Sequence, residues 1–281
     1  MSRRPTCVQI ALISTLLAST LCASTASSLD TVKKSGELVV LTWPHQESIF
    51  SRRMVEEYGE EGLKIIGGID IDLMKLYAEH LGVELRIEPV KPDFAALIPS
   101  LIEGRGDLIA SSLSITKKRS EILDFSRPYY EVHKAVIVLK GSGIRSVGDL
   151  TGKVASVARG TSHEEQLLAM FPDIEIKPVQ FMLENYQAVV DGEADYTVVD
   201  SSSAIKVLDE FYDLGQNLEV AFEFPESDYF AFAVPKGSDL RESLDSFVEE
   251  IQASGKLDEI LAKHSAPGSR ASDPGSSGKG D

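Results

Sequence analysis

The amino-acid sequence predicts an α/β protein made of two lobes. In its first half, three stretches with strand character, Leu38–Thr42, Val83–Glu88 and Asp107–Ala110, are separated by two segments with helical spacing. This alternation of strands and helices implies a parallel sheet with helices on its faces. A second, similar alternation begins after residue 134, and a chain of 281 residues is long enough to bury two medium-sized cores.

Two helices are predicted between the first three strands. From Ile69 to Leu81 apolar residues recur on one helical face, and Gly82 follows at a position where glycine commonly ends a helix. Phe94 to Ile102 gives the second helix. The polar stretch before Ile69 is predicted to contain a short helix around Ile49–Tyr58.

The second lobe is predicted from three strands, Val136–Leu139, Val154–Val157 and Tyr196–Val199. A helix that begins near Thr161 is predicted between the second and the third strand. The chain is expected to return at Phe230–Val234 and to pack an amphipathic helical region, Leu240–His264, on the first lobe, with a break near Gly255. Lobe 1 would then comprise residues 27–131 and 231–264, and lobe 2 residues 132–230. Residues 265–281 are rich in Gly, Ser and Pro, which predicts a disordered tail.

The first 26 residues have the pattern of a secretory signal peptide. Two arginines precede an apolar segment, Val8 to Leu21, that is short for a membrane span, and Ala26 offers a small residue for cleavage. Export would place the protein in the periplasm. Lipidation at Cys22 is the less favoured alternative, because the residue before it is the bulky Leu21.

Composition excludes several classes of function. Both cysteines, Cys7 and Cys22, lie in the predicted signal peptide, so the mature chain is expected to have no disulfide and no thiol chemistry. The formal net charge is −16, and removal of the two arginines in residues 1–26 makes it −18. Such a charge argues against binding to nucleic acid or to anionic membranes.

The stretch from Asp107 to Tyr130, DLIASSLSITKKRSEILDFSRPYY, is the most informative part of the sequence. A short strand leads into a run of hydroxyl side chains, and a helical turn then begins with Lys117, Lys118 and Arg119. Cations are unfavourable at a helix N-terminus unless an anion lies opposite them. Hydroxyls, free N–H groups and a guanidinium can together bind a carboxylate. The alternative is a solvated basic turn.

This stretch carries a family resemblance. SSLSITKKR followed by DFSRPYY resembles the motif of the bacterial family 3 solute-binding proteins, which bind amino acids, and the similarity extends over residues 36 to 264. The resemblance implies a class II periplasmic-binding-protein-like fold, with two α/β lobes joined by a two-strand hinge and the ligand cleft between them. It also implies that Arg119 grips the ligand's α-carboxylate, assisted by Ser112 and Ser114.

The same resemblance assigns further site residues. An aspartate at the end of the strand DYTVVD receives the α-ammonium in the family, which points to Asp200. Thr161 and Ser162 match the second lobe's contribution to the carboxylate, and Trp43 and Phe94 match aromatic walls of the pocket. Simple alternatives remain open: helix capping for Asp200, Thr161 and Ser162, and core packing for the two aromatic residues.

A narrower resemblance involves RGTSHEEQL, ADYTVVDSSS and LEVAF, which are similar to the binding module of the membrane-bound lytic transglycosylase F proteins. In those proteins the module precedes a peptidoglycan-cleaving domain. The chain ends soon after His264, so no catalytic domain is expected.

No metal, cofactor or enzymatic chemistry is predicted. The five histidines, His45, His80, His133, His163 and His264, show no metal-ligand spacing. His163 is expected to be exposed in the first turn of its helix. No nucleophile elbow or triad spacing is present.

Three functions are compatible with these observations. The first is a monomeric periplasmic receptor that captures an amino acid or a small peptide-like ligand by hinge closure and delivers it to an ABC permease. The second is a stand-alone sensory or regulatory module for amino acids or muropeptides in the cell envelope. The third is an enzyme related to the cyclohexadienyl dehydratases, which resemble these receptors, although no acid–base pair is identifiable.

Overall fold

The computed structural model of the protein describes residues 28–44, 49–50, 52–55, 63–179, 181–210 and 215–265. The predicted signal peptide and residues 266–281 of the predicted tail lie outside the described residues. None of the helices in the described ranges is long and apolar enough to cross a membrane.

Strands and helices alternate along the described chain as the sequence predicts. The strands are β1 Glu37–Thr42, β2 Arg52–Val55, β3 Leu63–Gly67, β4 Glu84–Pro89, β5 Leu108–Ile109, β6 Leu123–Phe125, β7 Tyr130–Leu139, β8 Val154–Ala158, β9 Glu175–Val179, β10 Tyr196–Asp200, β11 Leu218–Phe230 and β12 Ala233–Pro235. The α-helices are α1 Leu29–Ser35, α2 Ile69–Leu81, α3 Leu97–Ile102, α4 Lys117–Ser120, α5 Ser162–Met170, α6 Met182–Val190, α7 Ser201–Glu210, α8 Leu240–Ala253 and α9 Lys256–Ser265. Short 3₁₀ turns occur at Phe94–Ala96 and Val147–Leu150.

Each of the two lobes is built on a five-stranded sheet. In the first sheet the strand order is β4-β1-β5-β12-β6; β1 runs parallel to β4 and β5, and β12 runs antiparallel to β5 and β6. In the second the order is β11-β7-β10-β8-β9, with β8, β9 and β10 mutually parallel. The predicted fold class, two α/β lobes, is confirmed, and the first three predicted strands of lobe 1, now β1, β4 and β5, lie parallel to one another.

Two long strands connect the lobes. Strand β7 starts directly after the first sheet and continues into the second, and β11 runs back antiparallel to it, so that Tyr130 lies opposite Phe230 and Leu139 opposite Leu218. The pairing shifts register twice, between Val220 and Phe222 and again between Glu223 and Ser227. Such irregularities bend and twist a strand pair. The lobe boundaries drawn from the sequence stay a prediction.

The C-terminal helices pack on the first lobe, as predicted. Helix α8 ends at Ala253 and α9 begins at Lys256, and Gly255 between them has the left-handed φ of 75° that favours glycine. The ring of Phe247 on α8 lies 5.1 Å from that of Tyr77 on α2. Burial of such large rings at 25–30 cal/mol per Å² makes this helix contact a main source of stability in lobe 1.

The helix predicted around Ile49–Tyr58 is wrong. Residues 52–55 form a strand that pairs antiparallel with residues 63–67. The prediction considered only this short polar stretch, and its pairing with a strand that contains the β-branched Ile65 and Ile66 overrides local helix preference. The residues before this strand cap α2: the carbonyls of Ile49 and Phe50 accept hydrogen bonds from the N–H groups of Ile69 and Asp70 at the start of the helix.

Candidate functional site

A cleft lies between the lobes at the carboxyl ends of the strands. In parallel α/β sheets the loops that follow the strands lie at this edge, which is where ligands bind. All eight residues that the sequence analysis singled out line the cleft: Trp43, Phe94, Ser112, Ser114, Arg119, Thr161, Ser162 and Asp200. Four residues that it did not single out line the cleft too: Phe50, His163, Met182 and Ser203.

Arg119 is the buried member of the basic turn. Thr116 caps α4 by accepting the N–H of Arg119, and Lys117 and Lys118 point to solvent while the Arg119 side chain is only 5% exposed. Its Nη1 donates to the carbonyl of Ser114 at 2.8 Å, and its carbon Cζ lies 5.7 Å from the ring centre of Phe94. The basic residues of this turn therefore have different roles, and only the third enters the cleft.

Arg119 also connects the two lobes. Its Nη2 donates to the carbonyl of Gly160, at the start of the loop before α5, at 2.9 Å. Burial lowers the pKa of Arg119 from its ordinary value, and the negative charges of Glu165, Asp228 and Asp200 act in the opposite direction. A guanidinium remains charged under these conditions, and three of its five N–H donors are left for other partners among the described residues.

The loop that carries Ser112 is held by a buried carboxylate. Ser112 has a positive φ of 43°, a conformation that costs a residue other than glycine about 1–2 kcal/mol. Its N–H donates to Oδ2 of the fully buried Asp70 at 2.7 Å, and the hydroxyl of Tyr129 donates to Oδ1 of the same carboxylate at 2.5 Å. Burial, followed by the charge of Asp70, raises the pKa of Tyr129 well above its ordinary value, so the tyrosine remains a donor.

The N-terminus of α5 faces the cleft from lobe 2. Thr161 is its N-cap residue; its hydroxyl accepts the N–H of Glu164 and donates to the carbonyl of Ala158 at 2.7 Å. Capping therefore accounts for the Thr161 side chain. The first N–H groups of this nine-residue helix have no partner within the helix.

A buried ion pair lies where the connecting strands pass the cleft. Lys134 on β7 and Asp228 on β11 are 9% and 8% exposed, and the Nζ of Lys134 lies 3.1 Å from Oδ2 of Asp228. The hydroxyl of Ser162 donates to the same oxygen at 3.0 Å and lies 3.0 Å from the hydroxyl of Ser114. A polar network thus runs from lobe 1 through lobe 2 to both connecting strands.

The charge of Asp228 is stabilised by this network. Burial by itself raises the pKa of an aspartate, but Lys134 and hydrogen bonds from Ser114 and Ser162 outweigh it, so the pKa of Asp228 lies below its ordinary value. The sequence analysis did not find this pair. Both strands carry further charged residues, three glutamates in β11 and Glu131 in β7, so the sequence does not single this pair out.

Asp200 has a partner that the sequence analysis placed elsewhere. The prediction that His163 is exposed is wrong: the residue is 5% exposed, and its Nε2 lies 3.0 Å from Oδ1 of Asp200. Its position as the second residue of α5 turns the imidazole toward the end of β10. Asp200 is therefore held by a hydrogen bond within lobe 2.

Aromatic side chains form one wall of the cleft. Trp43 follows the end of β1, and its backbone N–H donates to the hydroxyl of Ser111 at 3.0 Å. Its ring contacts that of Phe94 edge to face, with 5.9 Å between the ring centres. This geometry is favourable for aromatic pairs. Trp43 is therefore both a packed core residue and part of the cleft wall.

The comparison with protein families decides the identity of the fold. The model of the bacterial extracellular solute-binding proteins, family 3, matches residues 57–267. The chain belongs to this family. The residues of the cleft described above all lie in the matched range, except Trp43 and Phe50, which precede it.

Relatives and solved structures show where the similarity extends. The chain is 31% identical over 247 residues to the membrane-bound lytic murein transglycosylase F of Desulfosudis oleivorans, an alignment that covers 84% of this chain and 50% of the relative. It is 27% identical over 200 residues to the amino-acid-binding protein AabA of Dichelobacter nodosus, covering 70% of this chain and 78% of that protein. The chain thus spans about half the length of the lytic transglycosylases it matches.

A solved structure shares the same architecture. The amino acid ABC transporter substrate-binding protein AbpA of Streptococcus pneumoniae, bound to L-arginine, superposes with a TM-score of 0.72 at 26% identity. The superposition covers 84% of this chain and 97% of that structure.

Proposed function

We propose that the protein captures an amino acid or a small amino-acid-like ligand in the cleft by closing its two lobes around it. The observation that carries this proposal is the placement of opposite charges on opposite lobes: Arg119 comes from lobe 1, Asp200 comes from lobe 2, and both line the same cleft. A zwitterion held between them satisfies both charges in a partly desolvated space, where such contacts are strong.

The carboxylate end of the ligand is assigned to Arg119. The guanidinium has donors left after its two carbonyl contacts, and Ser112, Ser114 and the first N–H groups of α5 surround the same space. A carboxylate there also benefits from the helix dipole of α5. The ammonium end is assigned to Asp200, and Trp43, Phe94 and Met182 offer apolar surface to the ligand's side chain.

The connecting strands β7 and β11 provide the hinge. The lobes touch in this structure through Arg119 and Gly160 and through Ser114 and Ser162, so a ligand can enter only when these contacts open. We assign the protein to the periplasm as a monomer that delivers its ligand to an ABC permease, in line with its family and with the substrate-binding protein of Streptococcus pneumoniae that it resembles.

A thermal-shift screen of the twenty common L-amino acids, small peptides and muropeptides tests the proposal. A ligand that binds the native state raises the unfolding temperature. At a ligand concentration about one hundred times its dissociation constant, the free energy of unfolding rises by about 2.7 kcal/mol. Trp43, the only tryptophan in the chain, gives a second readout, because closure around a ligand changes the surroundings of its indole. If no amino acid or peptide produced a shift or a fluorescence change, the proposed function would be wrong.

A stand-alone sensory or regulatory module is the second candidate. This candidate is favoured by the 31% sequence identity between the chain and a lytic transglycosylase, in an alignment that covers 50% of that relative. Such a module would bind the same class of ligand without a permease. Uptake of labelled ligand by vesicles that contain the cognate permease, on addition of the binding protein, supports transport; ligand binding with no stimulated uptake supports the sensory module. An enzyme on this fold would convert the bound ligand during incubation, whereas we expect the ligand to be recovered unchanged.

Closure can be tested at Gly160. Its φ of +74° is left-handed, and a Cβ added there would lie 2.7 Å from the Cα of Ala95 in the other lobe. We expect Gly160→Ala to hold the lobes apart and to weaken ligand binding by about 5- to 150-fold, which corresponds to an overpacking cost of about 1–3 kcal/mol. Calorimetry with the amino acid found in the screen measures the change.

Gly152→Ala is the matched control. Gly152 has nearly the same φ, +72°, but nothing lies within 4 Å of an added Cβ. Both variants carry the same backbone strain, so both should lose similar stability, whereas only Gly160→Ala should lose affinity. Equal affinities in the two variants would show that the Gly160–Ala95 contact is not required for binding.

A further inference from the structure

The cleft contains a histidine–aspartate pair formed within lobe 2. His163 is the second residue of α5 and Asp200 the last residue of β10; their side chains are 7% and 15% exposed. Both line the cleft. A ligand that lies between the lobes therefore meets Asp200 and the imidazole together.

One oxygen of Asp200 remains for a ligand. The imidazole Nε2 is bonded to Oδ1, and within the described part of the chain Oδ2 accepts no hydrogen bond. A neutral imidazole that carries its proton on Nε2 donates to Oδ1 and fixes the plane of the carboxylate. An ammonium group can then donate to Oδ2.

Protonation of His163 would reverse this preference. With a neutral imidazole, Arg119 and Asp200 present one positive and one negative charge, which match a zwitterion. With an imidazolium, Asp200 is already paired, and an ammonium would face a neutralised acceptor and a nearby cation. A ligand that has the carboxylate but no ammonium would not experience this repulsion.

The other charged groups near the pair are engaged elsewhere. Glu164 accepts the N–H of Gly160, Glu165 accepts from Thr116, and Asp228 is paired with Lys134, whose backbone lies opposite Asp200 in the β7–β10 register. Burial and, secondly, the charge of Asp200 raise the pKa of Tyr130, so it stays neutral. Arg119 across the cleft remains a cation. Asp200 is thus the one acid bonded to His163 in the described structure.

We propose that His163 is a specificity-determining residue of the ligand site: as a neutral donor it prepares Asp200 for an α-ammonium, and as a cation it directs the site toward ligands that lack one. This inference rests on the proposed function, because it deepens the assignment of Asp200. It predicts that protonation of His163 opposes amino-acid binding, with a coupling of about tenfold in affinity between pH 8 and pH 5.

The test uses two probes: the common L-amino acid that gives the largest thermal shift, and its 2-hydroxy acid, in which a hydroxyl replaces the ammonium. We expect the affinity for the amino acid to fall about tenfold from pH 8 to pH 5 and that for the hydroxy acid to stay constant or rise. Calorimetry near pH 6, in buffers of different ionisation enthalpy, should show proton release on binding of the amino acid and none on binding of the hydroxy acid.

His163→Gln separates this role from packing. The glutamine amide can donate to Asp200 but does not titrate, so the variant should bind the amino acid with the same affinity at both pH values and release no proton. His264→Gln is the matched control, because His264 forms the same type of pair with Asp72, Nε2 to Oδ2 at 3.0 Å, away from the cleft. This control should retain the pH dependence of the natural protein.

Different outcomes overturn different claims. If neither an amino acid nor a peptide binds, the proposed function fails and this inference fails with it. If the amino acid binds but its pH dependence and proton release persist in His163→Gln, the proposed function stands and the inference is wrong. A purely structural role would lower the affinities for both probes equally and leave the pH profile unchanged.

Discussion

Replacing Arg119 with alanine is expected to weaken amino-acid binding by about 10²–10³-fold or more. The guanidinium is buried, and it is the cation that a ligand carboxylate would meet in the cleft. Removing one partner of a desolvated charge pair costs about 3–5 kcal/mol, because the remaining charge is left without compensation. The variant also leaves the carbonyls of Ser114 and Gly160 without their donor.

Two further variants sharpen this experiment. Arg119→Lys keeps the charge but has no planar fork, so it should fall between the natural protein and the alanine variant. Arg127→Ala removes an exposed arginine that pairs with Glu249 at 2.9 Å, outside the cleft, and should bind as the natural protein does. A loss of less than about threefold in Arg119→Ala, measured by calorimetry, would contradict the carboxylate assignment.

Asp228→Ala is expected to destabilise the protein by about 3–5 kcal/mol, because it leaves the buried Lys134 unpaired. Replacing both partners, as in Lys134→Met with Asp228→Leu, should recover much of this loss, since apolar groups of similar size need no charge partner. The single variant should also weaken the polar link through Ser162 to Ser114. Chemical denaturation measures the free energy of unfolding of each variant.

An exposed ion pair supplies the control for this prediction. Asp30 and Lys34 on α1 are 71% and 75% exposed, and Asp30→Ala should change stability by less than about 1 kcal/mol. If Asp228→Ala cost no more than Asp30→Ala, the buried pair would not be a significant element of the hinge.

The sign of the pH effect follows from the direction of the Asp228 shift. Because the folded protein lowers the pKa of this carboxyl, the pair contributes stability at pH values above the ordinary aspartate pKa of about 4 and loses it as the pH falls through the folded-state pKa. The stability difference between the natural protein and Asp228→Asn should therefore narrow as the medium is acidified below about pH 4. A difference that widened on acidification would contradict the assignment.

The sequence predicts the strands and the position of the cleft because both depend on local patterns. Apolar and alternating stretches identify the strands, and residues at or soon after their ends, such as Ser112, Thr161 and Asp200, lie near the carboxyl edge of a parallel sheet. The motif around Arg119 adds an order of residues that occurs in the family. All eight of these predicted positions lie together in the cleft.

Contacts between distant elements could not be predicted in this way. Whether His163 points to solvent or to Asp200 depends on how α5 sits beside β10, and the periodicity of a nine-residue helix does not fix that rotation. The pairing of Lys134 with Asp228 depends on the register of two connecting strands, which includes two shifts. The β2–β3 pair was missed because its strands are stabilised by pairing with each other, and the local pattern of a short polar segment does not reveal its partner.

The most direct test of the central claim is a crystal structure of the protein with the amino acid identified in the screen. We predict one ligand between the lobes, with its carboxylate within hydrogen-bond distance of the Arg119 guanidinium and its ammonium within that distance of Asp200 Oδ2. A ligand bound outside the cleft, or bound with its carboxylate away from Arg119 and its ammonium away from Asp200, would contradict the account.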